Sequence, residues 1–184
     1  VLAAEHRAAA HAFPAARLPF GFRPSLLLAH DFPPMSGGIA RLLGAVAHHA
    51  AVGQMIVSTG MEAYTTMWDA ACSSRIERVP VPTSRLKTPL GLARWSRAAL
   101  RLARESGAGF CWAGNVKPAG YVAHWLHLRQ RLPYGLIVYG LDVLQLEAQV
   151  RRSRPRRFVA RAILGGSAGT VAISRWTADR FRAL

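Results

Sequence analysis

The stretch HDFPPMSGGIARLL, from His30 to Leu43, joins the end of an apolar run to the start of an amphipathic pattern. Pro33 and Pro34 end the apolar run as a strand, because proline lacks the backbone N–H that a sheet ladder needs. Gly37 and Gly38 then stand where the first helical turn begins. The order predicts a buried strand, a bend, and a helix whose N-terminus carries no side chain.

The same alternation of strand and helix continues to the end of the chain. The predicted strands are 26–29, 54–59, 75–83, 108–113, 134–139 and 170–173. The predicted helices are 39–50, 89–106, 118–131, 151–164 and a last one after Ser174, with residues 60–74 left ambiguous. Short, continuously apolar strands indicate burial on both faces, so we predict an α/β fold: a Rossmann-like open parallel sheet with helices on both faces.

Composition places the chain among globular proteins. It has 184 residues, of which 51% are hydrophobic and 18% charged. No apolar run approaches the roughly 20 residues that cross a bilayer. Two cysteines predict a reducing cytoplasm without a disulfide. Residues 1–23, rich in Ala, Arg and Pro, are predicted to be an extension rather than an intact signal peptide, and 24–184 to be one domain.

The charge is strongly positive, with a net value of +15 and a pI of about 11.6. Such a surface attracts nucleic acid, anionic lipid or nucleotide phosphates. The run RRSRPRRFVAR, Arg151–Arg161, contains six arginines. It fits a membrane-surface helix or a solvated face. Nucleic acid ranks last, because no reader motif is present and the aromatic residues do not alternate with the arginines. The candidate membrane-surface residues are Arg151, Arg152, Arg156 and Arg157.

The glycine pair predicts an anion site. Ligands of open α/β sheets bind at the carboxyl ends of the strands, where a helix N-terminus presents free N–H groups and a positive dipole end. Gly37 and Gly38 remove the side chains that would hold a phosphate away, although a tight turn alone would also use them. The spacing is neither GxGxxG nor GxxxxGK[ST], which disfavours a dinucleotide site and excludes a P-loop.

Three blocks resemble family 4 glycosyltransferases of the GT-B architecture, and they occur in that family's order. They are LLLAHDFPPMSGGIARLLGAVAHHA, PYGLIVYGLDVL and AGTVAISRWTADRFRAL. The resemblance implies the N-terminal, acceptor-side half of an enzyme with two Rossmann-like domains. No glutamate pair has the E-x7-E spacing of the family's donor domain, so that domain is expected to be absent from this chain.

The resemblance also implies site residues. Gly37 and Gly38 match the glycines whose backbone approaches the donor diphosphate. Tyr139 and Asp142 match the family's H-G-x-D block, with tyrosine in place of histidine, and are the candidate catalytic residues; Asp142 could instead cap a helix. By their positions at strand ends, His30, Asn115 and Lys117 are candidate acceptor-binding residues, with ordinary loop roles as the alternative.

These features predict an enzyme that moves a sugar from a nucleotide-sugar donor to a glycan or a lipid-linked acceptor. The isolated domain is expected to be inactive. The nucleotide sugar would be a substrate, and we expect no cofactor, metal or nucleic-acid partner. We expect a cytoplasmic protein, peripheral at the inner membrane face if its acceptor is lipid-linked. The alternative is a non-catalytic basic α/β module that binds anionic lipid headgroups or nucleotides.

Overall fold

A computed structural model describes residues 23–183, with the side chains of 149–152 left out. The predicted extension therefore lies, apart from Arg23, outside the described residues. The strands are β1 (Ser25–Leu28), β2 (Met55–Met61), β3 (Arg75–Pro82), β4 (Phe110–Ala113), β5 (Tyr134–Val138) and β6 (Gly169–Ala172). The helices are α1 (Gly38–His49), α2 (Thr65–Ala71), α3 (Pro89–Ser106), α4 (Ala119–Gln130), α5 (Gly140–Arg152), α6 (Arg154–Gly165) and α7 (Arg175–Arg182).

The six strands form one parallel sheet in the order β3-β2-β1-β4-β5-β6. The central strand β1 is fully buried at Leu26, Leu27 and Leu28, because helices cover both of its faces. This confirms the predicted α/β class and the Rossmann-like parallel sheet. It also confirms the six predicted strands, and among the described residues β3 lies at one edge of the sheet.

The two faces of the sheet carry separate apolar cores. On one face, α3, α4 and α6 pack on alternate strand residues and form the larger core, which includes Leu102, Leu126 and Ile163. On the other face, α1 packs Leu43 and Ala47 over Leu27 and Val57. Leu26 and Leu28 belong to the first core and Leu27 to the second, as the two-residue period of a strand requires.

Helix ends follow the predicted signals closely. The Thr88 side chain accepts a hydrogen bond from the Gly91 N–H at the start of α3, and Gly107 ends that helix in the left-handed conformation. Ser174 caps α7 by accepting from the Thr177 N–H. No helix within residues 23–183 combines the length and apolarity needed to cross a membrane.

One sequence prediction about helices is corrected, and the region left ambiguous is assigned. The single basic helix 151–164 is wrong: α5 ends at Arg152, Ser153 is extended, and α6 begins at Arg154 with Pro155 in its first turn. Proline is tolerated there because the first N–H groups of a helix have no partner within the helix. The region 60–74, which fitted no pattern, contains the short α2, none of whose residues is buried.

Candidate ligand site at the carboxyl edge of the sheet

The strand order creates a crevice beside the central strand. Chain progression reverses between β1 and β4, and ligands of open parallel sheets bind outside the carboxyl ends of the strands at such a reversal. The loops that follow β1, β4 and β5 all leave the sheet at this edge. Every candidate catalytic, phosphate-binding and acceptor-binding residue of the sequence analysis lies in these loops or in the first turn of the helix that follows one of them.

The loop after β1 ends in a bare helix N-terminus. Gly37 is the N-cap of α1 with a φ of 132°, a conformation that favours glycine. No side chain caps this end, and the first turn of α1 contains no acidic residue. Gly37 and Gly38 are exposed, and a Cβ added at Gly38 would meet nothing within 4 Å. A ligand therefore has room beside the start of α1.

A buried arginine fixes this loop to the sheet. The Arg78 guanidinium, with a side chain only 6% exposed, forms a two-point ion pair with Asp69, with both N···O distances at 2.7 Å. It also donates to the Pro33 carbonyl at 2.6 Å and the Gly60 carbonyl at 3.2 Å. Sequence reasoning missed this group, since Asp69 lay in the ambiguous region and no motif marked Arg78.

The two neighbouring helices of the crevice begin beside polar side chains. Asn115 is 4% exposed, and its Oδ1 accepts from the Ala119 N–H at 3.0 Å, which closes the start of α4. In α5 the N-cap is Tyr139, and Asp142 is the acidic residue of the first turn. The prediction that Asp142 could itself be the N-cap is therefore wrong: it lies three residues further along, where a carboxylate reaches back toward the cap.

Three buried polar atoms at this edge have no hydrogen-bond partner among the described residues. They are His30 Nε2, Tyr139 Oη and Asp142 Oδ2. His30 makes its other contact through Nδ1, which lies 2.9 Å from Asp31 Oδ1. A buried polar group without a partner costs about 1–3 kcal/mol, and such groups concentrate at functional sites. The structure thus places the predicted residues His30, Tyr139 and Asp142 at one edge, each with unused hydrogen-bonding capacity.

Asp31, Tyr139 and Asp142 lie close enough in the crevice for the charge of one to shift the pKa of another. Burial raises the pKa of Asp142 to about 6; the backbone N–H groups of Tyr139 and Val116 oppose this shift, while the nearby Asp31 carboxylate adds to it. Burial also raises the pKa of Tyr139, and the Asp142 and Asp31 carboxylates raise it further. The hydrogen bond with His30 lowers the pKa of Asp31, which also feels the charge of Lys87. Asp31 is thus a further member of the site.

The remaining predicted residues are placed less centrally. Lys117 is exposed, and it lines a cavity of about 20 Å³ together with Asp142 and Gln145. Arg156 is exposed and Arg157 half-buried on α6, while the side chains of Arg151 and Arg152 lie outside the described residues. Within the described part of the chain, no three His, Cys, Asp or Glu side chains are grouped so that they could hold a metal ion.

The fold and its crevice define a Rossmann-like α/β domain. Two solved structures share this fold: crystal structures of Anabaena Alr3699/HepE in complex with UDP-glucose and in complex with UDP and glucose. Their TM-scores are 0.60 and 0.61 at 18% sequence identity, and the matches cover 87% and 88% of this chain. At that identity the likeness shows the fold alone.

This chain spans about two fifths of the length of those proteins, since the matches cover 40% and 41% of them. No family model matches the sequence, and no curated protein matches it.

Proposed function

We propose that this domain is the acceptor-side part of a glycosyltransferase that moves a sugar from a nucleotide-sugar donor to a hydroxyl-bearing acceptor. The fold likeness to proteins crystallised with UDP-glucose supports a nucleotide-sugar donor. The sequence resemblance to family 4 enzymes supports the same class and the GT-B arrangement. The donor-binding half of the enzyme would then be a second Rossmann-like domain.

One observation carries the proposal: α1 begins with two exposed glycines and no acidic residue in its first turn, whereas the neighbouring helices begin beside polar side chains. Asn115 occupies the start of α4, and Asp142 occupies the first turn of α5. At α1, the exposed Gly37 and Gly38 leave the N–H groups free. Free N–H groups at a helix N-terminus bind phosphate, so the donor diphosphate would lie here.

The chemistry follows from where charge develops. Sugar transfer breaks the bond between the anomeric carbon and the diphosphate oxygen, and the leaving diphosphate gains negative charge. N–H groups of the first turn of α1 would stabilise that charge in the transition state. Tyr139 stays protonated at neutral pH because its pKa is raised, so it would donate a hydrogen bond. Asp142, with a pKa of about 6, would accept one from a substrate hydroxyl.

The acceptor would contact the other side of the crevice. His30 offers its unpartnered Nε2, and the exposed Lys117 offers a cation. Asn115 would contribute through its amide N–H groups, since its Oδ1 already caps α4. The acceptor is a glycan or a lipid-linked sugar. A lipid-linked acceptor would make this a peripheral protein at the cytoplasmic membrane face.

The decisive experiment uses a polypeptide in which this domain is joined to a donor-binding domain. Gly38→Val is the test variant, because a side chain there meets open space and the domain should fold. Gly165→Val is the matched control: it also has nothing within 4 Å, but it lies at the end of α6, remote from α1. We expect Gly38→Val to lower kcat/KM for transfer at least tenfold and Gly165→Val to change it less than twofold.

Activity within twofold of wild type in a folded Gly38→Val protein would reject the phosphate role. The 184-residue chain alone is expected to show little or no transfer, because most donor contacts would be missing. Robust transfer by this chain would overturn the assignment of the domain to the acceptor side of a larger enzyme.

A further inference from the structure

An open groove of about 540 Å³ runs between α3 and α4 on the face of the sheet that carries the larger core. Pro89, at the start of α3, and Tyr121, in the first turn of α4, belong to its lining. Both helices begin at the carboxyl edge of the sheet, so the groove starts at the edge that holds the candidate site. It runs from there toward Leu128.

The lining is mainly apolar and includes large side chains. Leu92, Trp125 and Leu128 contribute most of this character, and Leu128 and the neighbouring Leu90 are 64% and 61% exposed. Among the described residues, those that line the groove include no carboxylate. Exposed apolar surface of this kind, when it is contiguous and bordered by polar groups, indicates an interaction site rather than ordinary surface.

Arginines from three helices surround the groove. Arg97 of α3 is part of its lining. The Arg129 guanidinium of α4 lies 5.5 Å from the centre of the Trp125 ring. Arg156 of α6 is close enough to Tyr121 to lower its pKa against the raising effect of burial. Because α3, α4 and α6 cover the same face, all three charges belong to the face of the sheet that carries the groove, and each is near or among its lining residues.

We propose that the α3–α4 groove docks this domain onto an anionic lipid bilayer, with lipid acyl chains against Trp125 and Leu128 and headgroup phosphates against Arg97, Arg129 and Arg156. An apolar channel bordered by cations matches the two halves of an anionic lipid: the hydrocarbon replaces water along the groove, and the phosphates pair with the guanidinium groups. Electrostatics alone would need no groove, and an apolar partner alone would need no arginines. This surface is separate from the transfer chemistry, so its test stands apart from that of the proposed function.

The test is co-sedimentation of the chain with vesicles of phosphatidylcholine alone or mixed with phosphatidylglycerol. We expect at least tenfold tighter binding to the mixed vesicles at low salt, and weaker binding as salt rises. Arg97→Gln should weaken it about fivefold, the usual effect of one arginine near an anionic surface. Arg41→Gln is the matched control: Arg41 is an exposed arginine of α1, on the other face, and its replacement should change binding less than twofold.

A second pair of variants tests the apolar half. Leu128→Asp places a charge at the exposed wall of the groove and should weaken binding at least tenfold, whereas Val52→Asp, at a 77% exposed position after α1, should not. Vesicles with brominated acyl chains should quench tryptophan fluorescence in the wild type, and Trp125→Phe should remove most of that quenching.

Several results would overturn the proposal. Equal binding to neutral and anionic vesicles would do so, as would no binding to either at low salt. An Arg41→Gln effect as large as that of Arg97→Gln would make the attraction a property of net charge alone. Self-association of the chain that Leu128→Asp abolishes would assign the groove to a second copy instead. Transfer assays are not needed for any of these outcomes.

Discussion

Two strand-to-helix turns at the same edge of the sheet differ in the burial and the charge of their helix N-termini. The turn from β5 into α5 has the buried Tyr139 as its N-cap and carries an acidic residue, Asp142, in the first helical turn. The turn from β1 into α1 is exposed and open, with Gly37 as N-cap and no acid in the first turn. Both present the same backbone N–H groups. Neither N-cap side chain makes a capping hydrogen bond, so the difference is one of charge: the Asp142 carboxylate repels an anion from the start of α5, and no acid lies in the first turn of α1.

Helix α1 lacks two contributions that stabilise exposed helix N-termini. Closing a helix N-terminus with a polar side chain is worth about 1 kcal/mol, and an acid in the first turn adds about 0.3–1 kcal/mol. Neither contribution is present at α1. Local rules that a sequence breaks without structural gain mark functional positions, which is the reason for assigning the phosphate to α1 rather than to α5.

The largest effect is expected at the anchor of the open turn. Arg78→Ala leaves Asp69 and the Pro33 and Gly60 carbonyls without their donor, so it should lower the free energy of unfolding by about 3–5 kcal/mol, as loss of one partner of a buried ion pair does. Arg101→Ala, which removes an exposed pair with Glu77, should cost about 0–1 kcal/mol. Urea denaturation measures both. A loss below 1 kcal/mol for Arg78→Ala would mean that the loop needs no anchor.

The stability of the protein should change when the buried charge of Asp142 in α5 is removed. The folded-state pKa of Asp142, about 6, exceeds its unfolded value of 3.8, so the folded protein binds more protons between these pH values. The contribution of Asp142 to stability is present below pH 3.8 and is lost as pH rises through about 6. Asp142→Asn should therefore raise the free energy of unfolding by about 1–2 kcal/mol at pH 7. It should also flatten the dependence of that free energy on pH between about pH 4 and 6. An unchanged profile in the variant would contradict the assigned shift.

The third prediction separates two roles of Asn115. Loss of its Oδ1 opens the start of α4, so Asn115→Ala should lower the free energy of unfolding by about 1 kcal/mol. A role in acceptor binding alone would leave stability unchanged and raise KM for the acceptor. Denaturation of the domain and acceptor KM in the two-domain protein distinguish the two readings, and each can be positive without the other.

The smallest effect on stability is expected for Gly38→Asp, which should change stability and ligand binding in opposite directions. Gly38→Asp gives α1 the first-turn acid that α5 already has, in a position where a side chain meets open space. It should raise the free energy of unfolding by about 0.3–1 kcal/mol, because an acid favours a helix N-terminus. The same carboxylate should repel a diphosphate, so binding should fall as stability rises. Gly38→Asn, without the charge, is the matched control for the electrostatic part.

Most of the fold could be predicted from the sequence. The bounds of α3 follow from Thr88, Pro89 and Gly107, and the end of each strand lies within three residues of its prediction because turn residues mark it. Helix α5 could not be predicted, since its exposed Leu141 and Leu144 blur the apolar period set by the buried Val143 and Leu146. The break at Ser153 is explained by Pro155, which is tolerated in the first turn of α6 but not inside a continuous helix.

Only part of the candidate site could be predicted from the sequence. Sequence analysis found the glycine pair and the residues near strand ends, His30, Tyr139 and Asp142. Ligands of open parallel sheets bind at the carboxyl ends of the strands, and predicting the strands is enough to locate those ends. The Arg78–Asp69 pair could not be predicted, since its partners are nine residues apart and its other contacts reach the loop after β1 and the end of β2. Its geometry comes from strand order, which no local pattern encodes.

The central claim is that the N-terminus of α1 binds a diphosphate and that of α5 does not. Amide NMR of the 184-residue chain, titrated with UDP and with inorganic pyrophosphate, tests it directly because it detects millimolar binding without catalysis. We expect both ligands to shift the Gly38 and Ile39 amides and to leave those of Gly140 and Leu141 in place, and we expect Gly38→Asp to abolish the shifts. Equal shifts at both turns, or shifts that persist in Gly38→Asp, would contradict the claim.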